Sequence, residues 1–356
     1  MTEAFPDRAA AAQGGTIRAF APGRVNLIGE HTDYTGGLVL PMALDMGITI
    51  SGVRRGTSID LHSEQLGSTL VADLPIGQTL PKDPSWGRYV AAVARQLDLS
   101  IGFEGTITST LPAGGTGLSS SSALTVAAFL AFGALENDSL VHRKELAELA
   151  RITEAEASGV MSGIMDQLIS ITAREGHASM IDCHTLEITQ VPVPSDVDVV
   201  VFHSGQPRVL ADSEYNERRA ACAAIEAEIG PLREATLDDV ESLADPVLRR
   251  RGRHVVTENQ RVRDFVVALT AGDLDRCGQL LAEGHRSLAE DYETSTPVVD
   301  EIQARVSAMP GVYGARMVGG GFGGALVAMV EPRTELAIDT WSIRARPGPG
   351  ASVSTT

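Results

Sequence analysis

Lysine is almost absent from this chain of 356 residues, in which Lys82 and Lys144 are the only two and arginine supplies the other basic side chains. High genomic GC content would explain the bias, but the bias has a chemical consequence. A Walker-type phosphate loop needs a lysine beside its glycines, and no glycine-rich loop here has one. The strand lysine, HRD loop and DFG motif of a protein kinase are missing too. If the protein handles phosphates, it must use backbone N–H groups, arginine and a metal.

Cysteine is also scarce. Cys183, Cys222 and Cys277 are scattered and odd in number, which indicates reduced thiols rather than a disulfide framework or a CxxC metal site. The N-terminus has no basic patch followed by an apolar stretch, so no signal peptide is predicted. The most apolar run, from Ala123 to Leu135, is shorter than the roughly 20 residues that cross a bilayer. We therefore expect a cytoplasmic protein with no membrane partner.

Positive charge is in deficit, with 46 acidic residues against 29 basic ones and a formal net charge of −17. Because phosphate would be repelled over most of the surface, this balance argues against a nucleic-acid partner. Hydrophobic residues make up 43% of the chain, which is enough to bury a core. The length suits one large or two medium domains.

Strand and helix patterns are mixed without regular βαβ alternation, which favours an α+β fold over a doubly wound sheet. The segment VPVPSD is the best candidate linker, and it predicts two domains, 1–195 and 196–356. Strand patterns lie at Ile48–Val53, Ser58–Leu61, Thr106–Thr110, Val197–Phe202, Val312–Val318 and Ala325–Val330, and helical patterns lie at Trp86–Leu97, Ala123–Leu135, His142–Ser158, Glu214–Ile229, Val247–Leu269 and Pro297–Met309.

The first stretch that suggests chemistry is APGRVNLIGEHTDYTGG, which places Arg24, Glu30, His31 and Asp33 within ten residues. Its acceptors and its histidine could serve several hydroxyls at once, as recognition of a sugar or polyol demands, and its glycines permit a tight backbone path. A capped turn with solvated charges is the structural alternative. A metal site on His31 and Asp33 is a further alternative, although no third ligand can be named.

The second stretch, LPAGGTGLSSSSAL, is a glycine and serine run that leads into an apolar helix. The glycines let the backbone approach an oxyanion, and the helix N-terminus directs free N–H groups and partial positive charge at it. The serine hydroxyls could cap the helix or reach a Mg²⁺ bound to phosphates. The run is longer than one cap requires.

Three further stretches complete the set. In TEAEASGVMSGIMDQLIS, Glu154 and Asp166 could divide into metal ligand and catalytic base, or Asp166 could be an ordinary carboxylate in a first helical turn. ARMVGGGFGGALVAMV contains GxGxxG, but a β-like run follows it, so we interpret it as a close-approach turn rather than a dinucleotide site. RRRGRH, from Arg249 to His254, is expected to be a solvated helix face.

Apart from RRRGRH, the four stretches described above, in their order along the chain, resemble the galactokinase family. This family lies within the galactokinase, homoserine kinase, mevalonate kinase and phosphomevalonate kinase (GHMP) superfamily. The resemblance covers roughly residues 18–330 and includes WGRYV, MIDCHTLE, DSEYNERR and RHVVTENQRV. It implies phosphorylation of a hexose at its anomeric hydroxyl by ATP. It also implies an N-terminal domain like domain 2 of ribosomal protein S5 and a ferredoxin-like C-terminal domain, with the active site between them.

The resemblance implies specific roles as well. Asp166 and Arg24 would be catalytic, with Asp166 either accepting the hydroxyl proton or orienting the hydroxyl. Sugar contacts fall on Glu30, His31, Asp33, Gly163, Tyr215 and Gly320. ATP contacts fall on Trp86, Gly115, Thr116, Gly117, Leu118, Ser119, Ser120 and Ser121, and Mg²⁺ ligands on Ser121 (or Ser120) and Glu154.

Two alternatives to a galactose kinase stay open. One is another sugar 1-kinase, acting on N-acetylgalactosamine or arabinose. The other is a regulator that senses galactose and ATP without turnover, although the chain keeps its catalytic acid and phosphate loop. The partners expected are the two small-molecule substrates, and the expected oligomeric state is a monomer or weak dimer.

Overall fold

The computed structural model describes residues 15–112, 117–133, 140–207 and 211–356, with the backbone alone at 140, 141 and 211–213. The architecture is α+β, as expected. The strands are β1 (Ile17–Asn26), β2 (Leu38–Val39), β3 (Pro41–Arg54), β4 (Ser58–Ser63), β5 (Ser68–Asp73), β6 (Phe103–Ser109), β7 (His177–Asp182), β8 (Ile188–Pro192), β9 (Asp198–His203), β10 (Val312–Met317), β11 (Ala325–Val330), β12 (Ser342–Ala345) and β13 (Ser352–Thr355). The helices are α1 (Gly87–Gln96), α2 (Ser120–Ala131), α3 (Leu140–Ser158), α4 (Met165–Thr172), α5 (Ala211–Ile229), α6 (Leu237–Glu241), α7 (Pro246–Ala271), α8 (Leu274–Glu290) and α9 (Pro297–Ser307).

The largest sheet has six strands in the order β13-β1-β3-β6-β4-β5. Helix α2 packs against two adjacent strands of this sheet, β1 and β3. This helix is buried from Ser122 to Ala131, so it must be apolar on all sides. The β1–β3 register shifts between Pro22 and Arg24, and such an irregularity changes the direction of the side chains that follow it. Arg24 is the first residue after the shift.

A second sheet has four strands in the order β10-β11-β9-β12. Strands β10 and β11 are antiparallel neighbours joined by the glycine turn, which confirms the two predicted strands. Since a strand rather than a helix follows the glycines, the dinucleotide fingerprint is absent. Helices α8 and α9 pack against β10.

A third sheet contains β2, β7 and β8, and helix α7 packs against β2 and β8. Asp245 caps α7 by accepting hydrogen bonds from Val247 N and Leu248 N, and Pro246 occupies the first helical position, where its missing N–H costs nothing. The expectation of a solvated RRRGRH face on this helix is wrong for two of its residues. Arg251 is buried against the carbonyl of Asp291, and the side chain of His254 is fully buried.

The predicted linker VPVPSD overlaps the last two residues of β8, which ends at Pro192, and it ends before β9 begins at Asp198. Beyond the second sheet the chain returns to the first one, where β13 pairs with β1 at the edge. The division into 1–195 and 196–356 stays a prediction. Within the described ranges, no helix combines the length and the apolar character needed to span a bilayer.

Candidate active site

A cavity of about 320 Å³ collects most of the predicted site residues. The predicted residues that line it come from β1, the loop after β1, α2, α3, α4, α5 and the glycine turn; they are Arg24, Glu30, His31, Asp33, Ser121, Glu154, Asp166, Tyr215 and Gly320. The other lining residues were not predicted as site residues; they are Tyr89, Ser158, Val160, Ser162, Met165 and Gly319. Residues nearly 300 positions apart therefore share one cavity.

An arginine–carboxylate pair lies at the wall of this cavity. Arg24 Nε donates to Asp166 Oδ1 and Nη2 donates to Oδ2, each at 2.8 Å, in the bidentate geometry that makes such pairs strong. Arg24 Nη1 donates to the carbonyl of Gly117 at 2.5 Å. The Ser119 hydroxyl donates to Asp166 Oδ2. Asp166 thus lies in a first helical turn, as the structural alternative held, but it also faces the cavity.

The loop after β1 is buried, so the alternative of a capped turn with solvated charges is wrong. Glu30 is 3% exposed and His31 4%. His31 has φ +63°, a left-handed conformation that costs a non-glycine residue energy and that clusters at functional sites. Burial raises the pKa of Glu30 against the lowering effect of Arg316 and Arg24. The side chains of Glu30, His31 and Asp33 therefore line the cavity from a conformationally constrained stretch of backbone.

Asp33 is a half-buried acid beside two other carboxylates. Burial, together with the charges of Asp166 and Glu30, raises its pKa from 3.8 to about 7. Gly163 lies directly against it, because a Cβ at that position would come within 2.0 Å of Asp33 Oδ2. Gly163 is not a lining residue of the cavity, but only glycine fits there without displacing Asp33.

Tyrosines surround His31. Its Nδ1 is 3.0 Å from the Tyr34 hydroxyl, and that hydroxyl is 2.6 Å from the hydroxyl of Tyr292. The ring of Tyr215 lies 5.5 Å from the imidazole, centroid to centroid. Tyr215 was predicted from the sequence, whereas Tyr34 was not, although it lies in the same stretch as His31. Tyr292 was also missed, because the sequence gives no signal for it beyond the residue type.

The start of α2 lies across the cavity from this loop. No described side chain caps the helix, since Ser119 at the N-cap has φ +56° and its hydroxyl donates to Asp166 instead. Of the predicted phosphate-loop residues, Gly115 and Thr116 lie outside the described residues. Gly117 and Leu118 offer their carbonyls to Arg24, and Ser121 lines the cavity. The alternative in which these serine hydroxyls cap the helix is therefore wrong.

Glu154 and Ser121 form the candidate Mg²⁺ site. Glu154 accepts hydrogen bonds from the Ser121 and Ser122 hydroxyls and from Gln167 Nε2, the last at 2.7 Å. Burial raises the pKa of Glu154 in spite of these donors. One carboxylate beside a hydroxyl, both facing the cavity, is the sparse oxygen set that Mg²⁺ accepts when phosphates and water complete its shell. These residues therefore fit the ion.

A metal held by protein ligands alone has no such support. Across the described residues no three His, Cys, Asp or Glu side chains gather as a metal cluster. The alternative of a metal on His31 and Asp33 therefore lacks the further ligands it needs.

The glycine turn closes the cavity from the second sheet. Gly319 N donates to Glu30 Oε1 at 3.0 Å, and Gly320 lines the cavity. A Cβ at Gly321 would come within 2.4 Å of the carbonyl of Thr294. The turn is thus a close approach of backbone to a carboxylate and to a neighbouring loop, as its sequence indicated.

A second cavity, of about 340 Å³, is lined in α1 and α3 by residues that are sequence neighbours of residues lining the first. Lys82, Arg88 and Arg95 line it together with Glu156, which pairs with Arg95. Arg88 Nε is buried without a hydrogen-bond partner among the described residues. Sequence reasoning missed this group of cations because its members are spread over a loop and a helix. Trp86 lines neither cavity; its indole N–H donates to Ser68 Oγ at 2.9 Å in the core.

Family models match three parts of the chain. They are the galactokinase galactose-binding signature at residues 3–54, the GHMP kinase N-terminal domain at 88–174 and the GHMP kinase C-terminal domain at 265–343. The Arg24-to-Asp33 loop falls in the first match and the Asp166 segment in the second. The glycine turn falls in the third.

Curated relatives match most of the chain. It is 40% identical to the galactokinase of Homo sapiens over 328 residues, which is 87% of this chain and 83% of the human protein. It is 42% identical to the galactokinase of Chloroflexus aggregans over 330 residues, covering 88% and 83% of the two chains.

Among solved structures, the chain resembles a Lactococcus lactis galactokinase complexed with galactose, with a TM-score of 0.85 at 32% identity, over 98% of this chain and 97% of that one. A mevalonate kinase structure has a TM-score of 0.65 at 18% identity, over 93% and 98% of the two chains. The latter likeness is one of fold alone.

Proposed function

The chain belongs to the galactokinase family of GHMP kinases, and from that premise we propose that it transfers the γ-phosphoryl group of ATP to the C1 hydroxyl of galactose. The products are galactose 1-phosphate and ADP. One observation carries the proposal: the Arg24–Asp166 pair shares a cavity with Glu30, His31 and Asp33 of the matched galactose-binding signature.

The sugar is proposed to lie among Glu30, His31, Asp33 and Tyr215. A sugar ring offers hydroxyl donors around its edge and C–H groups on its faces. Carboxylates accept from the former, and an aromatic ring packs against the latter. The rings of the histidine and the tyrosine already lie with their centroids 5.5 Å apart, so this wall of the pocket exists before the sugar arrives. Gly320 lines the pocket without a side chain, and Gly163 leaves the room that Asp33 occupies.

Arg24 and Asp166 are proposed to act on the reacting atoms. The C1 oxygen attacks the γ-phosphorus, the bond from that phosphorus to the β,γ-bridging oxygen breaks, and ADP leaves. Asp166 already accepts hydrogen bonds from the side chains of Arg24 and Ser119, which hold its carboxylate in one orientation at the cavity wall. We therefore assign it the orientation of the C1 hydroxyl and a late uptake of its proton, since a loose transition state needs little base assistance. Arg24 stabilises the charge that develops on the transferred group.

Mg²⁺ bound to ATP is proposed to sit at Glu154 and Ser121, where it would neutralise phosphate charge. The chain's own contribution there is to hold the triphosphate. The uncapped start of α2 directs backbone N–H groups towards it, and Glu154 is kept in place by Gln167 and two serines. This arrangement uses no lysine next to the reacting phosphate.

The nucleoside end of ATP is proposed to extend towards the second cavity, which follows from the adjacency of Tyr89 in the first cavity to Arg88 in the second. Trp86 then acts as a support behind α1 rather than as a direct contact. Arg88→Ala should raise KM for ATP by about tenfold, in line with the loss of one charge-assisted contact, and should leave KM for galactose unchanged.

The deciding experiment is ADP release with MgATP and a panel of monosaccharides, with the product identified by phosphorus NMR as a sugar 1-phosphate. Preference for galactose supports the proposal. A preference for N-acetylgalactosamine or arabinose would support the other sugar 1-kinases instead. Binding of sugar and ATP by a folded protein without turnover would support the sensing regulator. Location in the cytoplasm and a monomeric or weakly dimeric state remain predictions, to be checked by fractionation and by light scattering.

A further inference from the structure

Two side chains of helix α7, His254 and Glu258, bind the backbone of the loop after β1, at residues 29 and 30, from outside the cavity. Both are fully buried, and they stand one helical turn apart, so they face the same way. Glu258 Oε1 accepts from Gly29 N at 2.9 Å and from Glu30 N at 3.4 Å. His254 Nε2 lies 3.1 Å from the carbonyl oxygen of Glu30, and because a carbonyl only accepts, this nitrogen carries the hydrogen.

Arg316, on β10, holds the same loop from the second sheet. Its side chain is fully buried. Nε donates to the carbonyl of Leu27 at 2.7 Å, and Nη2 donates to Glu30 Oε1 at 3.0 Å. Arg316 Nη1 is 3.8 Å from Glu258 Oε1, so the two buried charges also face each other.

The charges of this group fit one another. Burial alone would raise the pKa of Glu258, but Arg261, His254 and Arg316 lower it to about 2. Burial lowers the pKa of His254 to about 4. At neutral pH, Glu258 is therefore an ionised acceptor between two guanidinium groups, and His254 is a neutral single donor.

Packing alone does not require such a group. Buried ion pairs are often no more stabilising than apolar residues of the same size, and α7 already contributes apolar side chains to the core. What the group contacts is the turn in which Gly29 has φ +98° and His31 has φ +63°. A non-glycine residue keeps a left-handed conformation only where its surroundings over-determine it.

We propose that His254, Glu258 and Arg316 are positioning residues for sugar binding, which hold the backbone of residues 29–31 and the Glu30 carboxylate in the geometry that receives the sugar. None of them lines the cavity, so they act through Glu30 and His31. The inference rests on the proposed function, because it takes the loop to be the sugar site.

The test compares Glu258→Gln, His254→Leu and His254→Gln with the unchanged protein. Glu258→Gln removes the charge between the two arginines. His254→Leu removes the donor to the Glu30 carbonyl, whereas His254→Gln offers an amide N–H at a similar reach. We expect the first two variants to raise KM for galactose and the calorimetric Kd for galactose by at least tenfold, with KM for ATP within twofold. We expect His254→Gln to restore most of the affinity.

Phe265→Leu is the matched control, since Phe265 is a fully buried core residue of the same helix with no polar contact to the loop. It should lower the melting temperature with little change in either KM. If the polar variants raise both KM values together, or leave the galactose Kd unchanged while folded, the proposal is overturned. Should Glu258→Gln fail to fold, the two His254 variants decide the question. An unchanged protein that neither binds nor phosphorylates galactose would instead count against the proposed function.

Discussion

Asp166 is the residue whose replacement has the most definite expected outcome. In Asp166→Asn an amide NH₂ would face Arg24, and the guanidinium would lose the carboxylate that it pairs with at 2.8 Å. We expect kcat to fall by about a thousandfold or more, because both the orienting acceptor and the preorganised charge are lost. The calorimetric Kd for galactose should change far less.

The control for that variant is Ser119→Ala, which removes one hydrogen bond to Asp166 and keeps its charge. Its kcat should fall by about tenfold, as expected for one hydrogen bond to a charged group. A turnover near that of the unchanged protein in folded Asp166→Asn would contradict the assigned role.

Asp33 should give the protein a pH dependence, because its pKa is raised from 3.8 to about 7. The ionised form is the better acceptor for sugar hydroxyls. The Kd for galactose should therefore fall by about tenfold as pH rises from about 6 to about 8, in proportion to the ionised fraction. The free protein should lose stability as pH rises from about 4 to about 7, since the folded state keeps a proton that the unfolded chain releases.

Calorimetric titration at several pH values checks the first effect, and thermal melting without sugar checks the second. Asp33→Asn cannot ionise at this position, so both dependences should flatten in it. If the unchanged protein and the variant show the same pH profile, another group is responsible.

At this scale the sequence predicted nine of the fifteen residues that line the cavity but not the side chains that hold the loop after β1. Glu30 and Asp33 are recognisable because they stand close together between glycines. Glu258 and Arg316 are more than 220 residues from the loop that they contact. Both lie in stretches that carry the family resemblance, but nothing in those stretches indicates a contact with this loop, and the run that contains His254 suggests an exposed face.

At the scale of elements, the proposed Mg²⁺ site lies where α2 and α3 meet. Glu154, on α3, is bonded to serines at the start of α2 and to Gln167 on α4. Glu154→Gln should raise the Mg²⁺ concentration needed for half-maximal activity by about tenfold or more, because one anionic ligand is lost. KM for galactose should stay within twofold.

Activity measured against free Mg²⁺ at fixed ATP makes the comparison. Glu148→Gln is a suitable control, since Glu148 is on the same helix, pairs with Arg151 and lines neither cavity. An equal Mg²⁺ requirement in the two variants would remove Glu154 from the metal site.

The elements that sequence patterns missed are those in which tertiary contacts replace local signals. Helix α8 contains Gly278 and Gly284, which weaken a helical pattern. A Cβ at Gly278 would come within 1.9 Å of the carbonyl of Tyr313, so glycine there permits the close packing of α8 on β10. Strand β1 contains Pro22 and Gly23, which the register shift accommodates. The strongly periodic helices, by contrast, were predicted to within a few residues.

At the scale of the molecule, one cavity joins residues from Arg24 to Gly320, so a bound sugar should stabilise the whole fold. Galactose at about 100 times its Kd should add about 2.7 kcal/mol to the free energy of unfolding, which corresponds to a rise of several degrees in melting temperature. Melting curves in the presence of glucose, which differs at one carbon, provide the comparison. An equal shift with both sugars would mean that the pocket does not distinguish them.

The net charge of −17 acquires a meaning at this scale that composition alone did not give. A nucleoside triphosphate is repelled by most of the surface, so attraction must come from a small region. Arg24, the uncapped start of α2 and the cations of the second cavity are that region. The sequence alone predicted only the first two of these, because the third depends on a loop folding against α1.

Because the chain has only two lysines, chemical labelling of lysine side-chain amines can report on the second cavity, where Lys82 lies. Lys144 lies on α3 and lines neither cavity. A limited dose of an acylating reagent, followed by peptide mass spectrometry, should label both side chains in the free protein. MgATP should slow the acylation of Lys82 severalfold and leave that of Lys144 unchanged. The ratio of the two labelled-peptide signals then measures nucleotide occupancy. Equal rates at Lys82 with and without MgATP would place the nucleoside elsewhere.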